Sequence, residues 1–200
     1  MKRFVTALAA LFGAATLSAA PAGLDIHFID TEGGAATLLV TPAGESVLID
    51  CGNPGKRDAE RIHKTCAQAG LKQIDHLVIT HWHSDHYGGI ARLNELIPIR
   101  AFYDHGVPET LAEDKKGFAT LIAPYKELSR GKAKTLKPGD EIALKQAEGK
   151  PPLRMFCLCG DGKVIPDRPD APKNPIAKDH KAKPEDTSDN ARSLGFLISY

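Results

Sequence analysis

The sequence predicts an α/β fold built on mixed β-sheets. Short apolar runs of strand length recur along the chain. Some are separated by stretches with helical spacing, and others are joined by Gly- or Pro-rich turns. A helical crossover gives parallel neighbours and a tight turn gives antiparallel ones, so both pairings are expected in the sheets. At 200 residues the chain is long enough for one sizeable domain.

Taken in order, Lys2-Arg3, an apolar run over 4–17 and the small residues Ser18-Ala19-Ala20-Pro21-Ala22 form the three-part pattern of a secretory signal peptide over 1–22. Cleavage is expected before Gly23, or after Ala19. The run is shorter than the about 20 residues that span a bilayer. No other stretch suits a membrane, so the expected product has no stable span and is exported, periplasmic or secreted. The remaining domain is 23–200.

Residues 24–30, 36–40 and 46–50 read as strands joined by Glu32-Gly33-Gly34 and Pro42-Ala43-Gly44. Residues 58–69 read as a helix, with Ala59, Ile62, Cys66 and Ala69 on one face and Gly70 ending it. A strand over 74–80 follows. A second helix over 88–96 is expected to stop before Pro98 and to point the positive end of its dipole at His86. Residues 99–103 read as a strand, and 108–129 are helical in composition with a break near Gly117 or Pro124. Residues 134–136 and 141–145 flank Pro138-Gly139-Asp140 as a hairpin-like pair, and 153–158 is a further strand. Residues 160–189, rich in Pro, Lys and Asp, read as a polar surface insert. Its Lys173, Lys178, Lys181 and Lys183 face solvent or an anionic substrate.

Lys plus Arg (26) nearly balances Asp plus Glu (25), so no global field draws the chain to nucleic acid or acidic membrane. Repeats, heptads and a Gly-x-Ser-x-Gly elbow are all missing from the sequence. The cysteines, Cys51, Cys66, Cys157 and Cys159, have no zinc-ribbon spacing. Cys51 and Cys66 are compatible with a disulfide, in keeping with export, and equally with two buried thiols.

The chemistry concentrates in His81-Trp82-His83-Ser84-Asp85-His86, which follows the apolar strand. In extended backbone, alternate residues share a face, which groups His81, His83 and Asp85. Burying such a group without a cation would leave unpaired polar atoms at about 1–3 kcal/mol each. Imidazole and carboxylate together suit zinc, with manganese or iron as alternatives. The cluster can hold one ion through its first two histidines and a second through Asp85 and His86. Two ions about 3.5–4 Å apart activate a water for hydrolysis. Trp82 and Tyr87 are expected to pack the loop.

This stretch resembles the His-x-His-x-Asp-His signature of the metallo-β-lactamase superfamily. Ile26-His27-Phe28-Ile29-Asp30, Glu32-Gly33-Gly34 and Val47-Leu48-Ile49-Asp50-Cys51-Gly52 resemble its opening strands. Asp189-Asn190-Ala191-Arg192-Ser193-Leu194 resembles the Asn-x-x-Ser-Leu segment of the ComEC-like branch, named for DNA-internalisation competence proteins. The resemblance covers 24–200.

The resemblance implies an αββα sandwich of two mixed sheets flanked by helices, with two metals on one edge and a metal-activated water. It implies His81 and His83 on the first metal, and Asp85 and His86 on the second. Asp85 is also the expected proton acceptor. Asp50 is implied to orient a ligand histidine or the metal loop, or else simply to form the turn there. Asp189 or Asn190 is a candidate to complete the first site, and His105 a candidate substrate contact. Glu32 at the early turn is a further candidate.

The family's bridging Gly-Asp pair and its last histidine would fall beyond Tyr200, so the reading expects a piece of a longer protein. The expected substrate is a small molecule or nucleic acid, with phosphodiester cleavage first. Lactam, lactone or thioester hydrolysis is the second reading, and a non-catalytic metal-binding module the third. No protein partner is inferable from the sequence.

Overall fold

A computed structural model describes residues 23–172, 174–181 and 183–200. The signal peptide expected over 1–22, and Lys173 of the insert, lie outside the described residues. Ten strands and four α-helices are formed by the described residues. They run β1 Asp25–Phe28, β2 Thr37–Val40, β3 Ser46–Ile49, α1 Arg57–Gln68, β4 Ile74–Val78, α2 Ser84–Tyr87, α3 Ile90–Leu96 and β5 Ile99–Asp104. Then come α4 Phe118–Leu128, β6 Ala133–Thr135, β7 Glu141–Ile142, β8 Arg154–Gly160, β9 Lys163–Val164 and β10 Gly195–Ser199.

The first sheet has the order β1-β2-β3-β4-β5-β6. Its hairpin-linked strands β1 to β3 pair antiparallel, and the crossover-linked strands β3 to β6 pair parallel. The second sheet has the order β10-β8-β7, with β9 added to β8, and is antiparallel.

Alternation along the strands sorts the core into two layers. Leu38, Leu48, Leu77 and Phe102 point to the helices and pack with Ile62 and Cys66 of α1, Leu93 of α3, and Ile122 and Tyr125 of α4. The intervening Leu39, Val47 and Val78 point the other way and pack with Ile142, Met155 and Cys157 of the second sheet. Each such leucine or isoleucine contributes about 1.5–3 kcal/mol by burial. Helix, sheet and sheet are thus three of the four expected layers. No α-helix covers the second sheet's outer face among the described residues.

Several expectations are corrected. Residues 134–136 and 141–145 do not form a hairpin. β6 joins the first sheet beside β5, whereas residues 139–142 run along β8, so Pro138-Gly139-Asp140 is the step between sheets. Leu136 is the hinge, because its side chain is buried in the inter-sheet core. Residues 108–116 are irregular, and the helix starts only after Gly117 and carries Pro124 within it.

The insert after Gly160 is not wholly loop. Asp161 and Gly162 both have positive φ (50° and 69°) and close a two-residue hairpin from β8 to β9. All four cysteines are free thiols, so Cys51 and Cys66 form no bridge. Burial pushes the Cys66 thiol up to about 11 and Cys51 well above its ordinary value.

Candidate metal centre

The candidate site lies where the parallel strands β3 and β4 end. Asp50 follows β3 with φ 60°, a left-handed turn that Asp tolerates better than most residues. That turn leaves its backbone N–H on Val78 O (2.8 Å) and points its buried carboxylate across the end of β4. Oδ1 accepts the Thr80 amide at 2.7 Å, and Oδ2 accepts the Thr80 hydroxyl at 2.7 Å. Asp50 Oδ2 also lies 2.8 Å from Nδ1 of His86. The imidazole of His86 is therefore fixed on one nitrogen, with the other turned away from Asp50.

The expected extended run breaks at Ser84. His83 is still extended (φ −84°, ψ 142°), but Asp85 and His86 sit inside the helical turn α2. This carries Asp85 off the shared face of His81 and His83 and brings His86 over His81, ring centroids 3.9 Å apart. The His81 and His83 rings are 4.7 Å apart. The next helix, α3, begins at Ile90, and the Gly89 amide before it donates to Gly52 O.

Backbone contacts lock this turn in place. Ala35 N–H donates to Asp85 O (3.2 Å) and Cys51 N–H to His86 O (2.6 Å). The approach is close enough to require glycine at Gly34, where a Cβ would fall 2.2 Å from Asp85 O. Trp82 and Tyr87 are fully buried and pack the loop from below, with Trp82 Nε1 donating to Gly106 O at 2.8 Å.

The late segment closes over the first histidine. Leu194 N–H donates to Thr80 O, and Ser193 Oγ lies 3.2 Å from His81 Nδ1. Asp189 is buried, and its Oδ2 accepts the Trp82 amide at 2.6 Å and lies 3.3 Å from His105 Nε2. Asn190 is exposed and joins the cluster through its main-chain carbonyl, an acceptor for Ser193 Oγ–H. His105, expected at the substrate edge, has only 2% of its side chain exposed and stands behind Asp189. Glu32 is exposed, and its carboxylate lies 3.9 Å from Arg57.

Sequence reasoning missed Glu113. Its Oε1 accepts the Asp189 amide at 2.7 Å and lies 3.9 Å from His83 Nε2. No spacing motif links residue 113 to the signature, and the expected helix over 108–129 concealed it.

Electrostatics divide the histidines. Burial, then the neighbouring His86 and His83, push the His81 imidazole down to about 4, so it is neutral with a free lone pair at neutral pH. Burial also disfavours charge on His86, but the hydrogen bond and charge of Asp50 outweigh it and raise that group. Asp189 is likewise opposed by burial, yet held below the usual carboxylate range by His105 and the Trp82 amide.

His81 Nε2 and His83 Nε2 are buried without any hydrogen-bond partner. Among the described residues no three His, Cys, Asp or Glu groups already converge at ligating distance. The donor chemistry nevertheless fits a divalent cation. Two unpaired imidazole nitrogens, a carboxylate at Asp85 and an anchored His86 form a borderline-soft set of nitrogen and oxygen donors.

Against known proteins, the profile of the metallo-beta-lactamase superfamily matches residues 30–186. The chain belongs to the metallo-β-lactamase superfamily. Its sequence is 38% identical over 116 residues to a ribonuclease Z of Clostridium tetani (strain Massachusetts / E88), covering 51% of this chain and 34% of that protein. It is 35% identical over 74 residues to the atrochrysone carboxyl ACP thioesterase dmxR1 of Cryptosporiopsis sp. (strain 8999), covering 36% of this chain and 23% of that one. A solved subclass B3 metallo-beta-lactamase from a soil metagenome, MEM-A1, aligns at TM-score 0.45 and 20% identity over 73% of this chain and 55% of its own. The chain thus spans about a third of the length of the first of these two relatives and about a quarter of the second. The α/β architecture with mixed sheets is that of the superfamily.

Proposed function

We propose that this chain belongs to an exported, metal-dependent phosphodiester hydrolase of the ComEC-like branch, with nucleic acid as the leading substrate class. The observation that carries the reading is the pair of buried, unpartnered nitrogens on His81 and His83, set beside a His86 already anchored by Asp50. Two zinc ions, or manganese or iron, are the cations such donors suit. Among the residues of the signature, His81 and His83 hold one, and Asp85 with His86 the other. When bound, the cations supply Lewis acidity and bring the pKa of a water toward about 7.

The rest is done by the chain. His81 stays neutral at its donor nitrogen. Asp50 draws the His86 proton to Nδ1, leaving Nε2 as the donor. Asp85, with 34% of its side chain exposed, accepts the water proton from the open side. Support for the branch comes from Ser193, the serine of the Asn-x-x-Ser-Leu segment, which lies against His81. Support for a phosphodiester comes from the likeness to ribonuclease Z.

The test is a zinc-loaded panel on the natural full-length protein: linear DNA, a phosphodiester chromogen, a thioester, a lactone and a cephalosporin. Turnover of a phosphodiester, abolished together with cation binding in His81→Ala/His83→Ala, is expected. Activity on the cephalosporin, lactone or thioester alone overturns the substrate class. Cation binding without any turnover marks a non-catalytic module. Export is checked by fractionation, with Gly23 expected as the amino-terminal residue of a periplasmic or secreted form.

A further inference from the structure

We propose that Glu113 is a carboxylate ligand of the cation held by His81 and His83, an assignment that rests on the metal-centre reading above. Glu113 projects from the irregular segment 106–117, between β5 and α4. Its Oε1 lies 3.9 Å from His83 Nε2, an atom that is buried and has no hydrogen-bond partner. One cation about 2.0–2.2 Å from each donor spans such a pair without a change of fold. The second orphan, His81 Nε2, belongs to a residue only 4% exposed, and its ring stands 4.7 Å from that of His83.

Charge points the same way. Glu113 accepts the amide of Asp189, so two carboxylates adjoin. His105 Nε2 lies 3.3 Å from Asp189 Oδ2, and no Lys or Arg pairs with Glu113 among the described residues. Adjacent carboxylates facing imidazole lone pairs favour a bound cation over an empty site. The single amide accepted by Oε1 leaves lone pairs on both oxygens. Asp189, the sequence candidate for this place, already has Oδ2 engaged by Trp82 and His105. On this assignment it positions the loop, and Glu113 supplies the further donor.

The discriminating variant is Glu113→Gln, because the amide oxygen still accepts the Asp189 N–H while the charge is removed. Cobalt(II) is titrated into the full chain, with affinity read by competition against a chromophoric chelator and geometry by the visible absorption of the bound ion. Glu113→Ala is measured in parallel, and Glu109→Gln, exposed on the same loop, controls for lost surface charge. Expected is a fall in affinity of about tenfold or more for Glu113→Gln, with a changed cobalt spectrum and unchanged Glu109→Gln. Wild-type affinity in both Glu113 variants overturns the assignment, as does weakened binding with an unaltered spectrum, the mark of a merely electrostatic or positioning role. In either case His81→Ala still abolishes binding and the metal-centre reading stands. Absence of cobalt binding by the unsubstituted protein overturns both.

Discussion

Replacing Asp50 by Asn removes one charge and little else. Asn is isosteric and tolerates the positive φ of 60° found there, so the turn after β3 is preserved. The native carboxylate serves three donors: the Thr80 amide at 2.7 Å, the Thr80 hydroxyl at 2.7 Å and His86 Nδ1 at 2.8 Å. Asn offers one acceptor oxygen, which the Thr80 amide takes. Its NH₂ then faces His86 Nδ1 and makes that nitrogen an acceptor. The ring proton moves to Nε2, and the lone pair proposed for the cation is lost. Orienting partners of this kind are worth about 10–100-fold in metal affinity, or roughly 1.4–2.8 kcal/mol at 1.4 kcal/mol per decade. Hydrogen bonds to a buried charge contribute about 1.5–3 kcal/mol each, so the apo variant is also destabilised, by about that amount. Zinc titration by calorimetry, paired with urea unfolding of the apo protein, reads both effects. Wild-type affinity for both ions in Asp50→Asn would refute the reasoning.

Two further outcomes follow. Gly34→Ala places a Cβ 2.2 Å from Asp85 O, so the turn carrying Asp85 and His86 must shift; overpacking predicts about 1–3 kcal/mol of lost stability and weaker zinc binding, and an unchanged urea midpoint would contradict it. Burial lifts the Cys66 and Cys157 thiols from 9.0 to about 11. The folded state then holds protons that the unfolded state releases, so this stabilisation is complete below pH 9 and lost as pH rises toward 11. The urea midpoint of the reduced protein should fall over that interval, and a flat or rising midpoint would reject the burial argument.

The central strands β2 and β3 were legible because each is a short apolar run bounded by turns and buried on both faces. Leu38 and Leu48 go to the helix side and Leu39 and Val47 to the second sheet. The signature was legible because three histidines and an aspartate in six residues have few other uses. Its geometry was not. The bend at Ser84 is set by amides at Ala35 and Cys51, which are remote in sequence from the residues they hold. The false hairpin around Pro138 has a similar cause: local turn chemistry is the same whether the next strand returns to its own sheet or crosses to another, and only the burial of Leu136 decides. The Asp161-Gly162 turn carried a readable signal, a dipeptide suited to positive φ, that was masked by the polar composition around it. Glu113 had none, since its meaning arises from proximity to His83 across a loop.

The grip of Ala35 and Cys51 on the carbonyls of Asp85 and His86 has a thermodynamic corollary. Those two amides come from separate connections, Ala35 from the antiparallel β1–β2 link and Cys51 from the crossover after β3, whereas the carbonyls belong to the turn after β4. The liganding turn therefore depends on contacts from segments remote in sequence, and affinity for a cation is tied to the assembled first sheet. Occupancy and folding are coupled: a ligand that recognises only the native form raises its melting temperature roughly with the logarithm of its concentration.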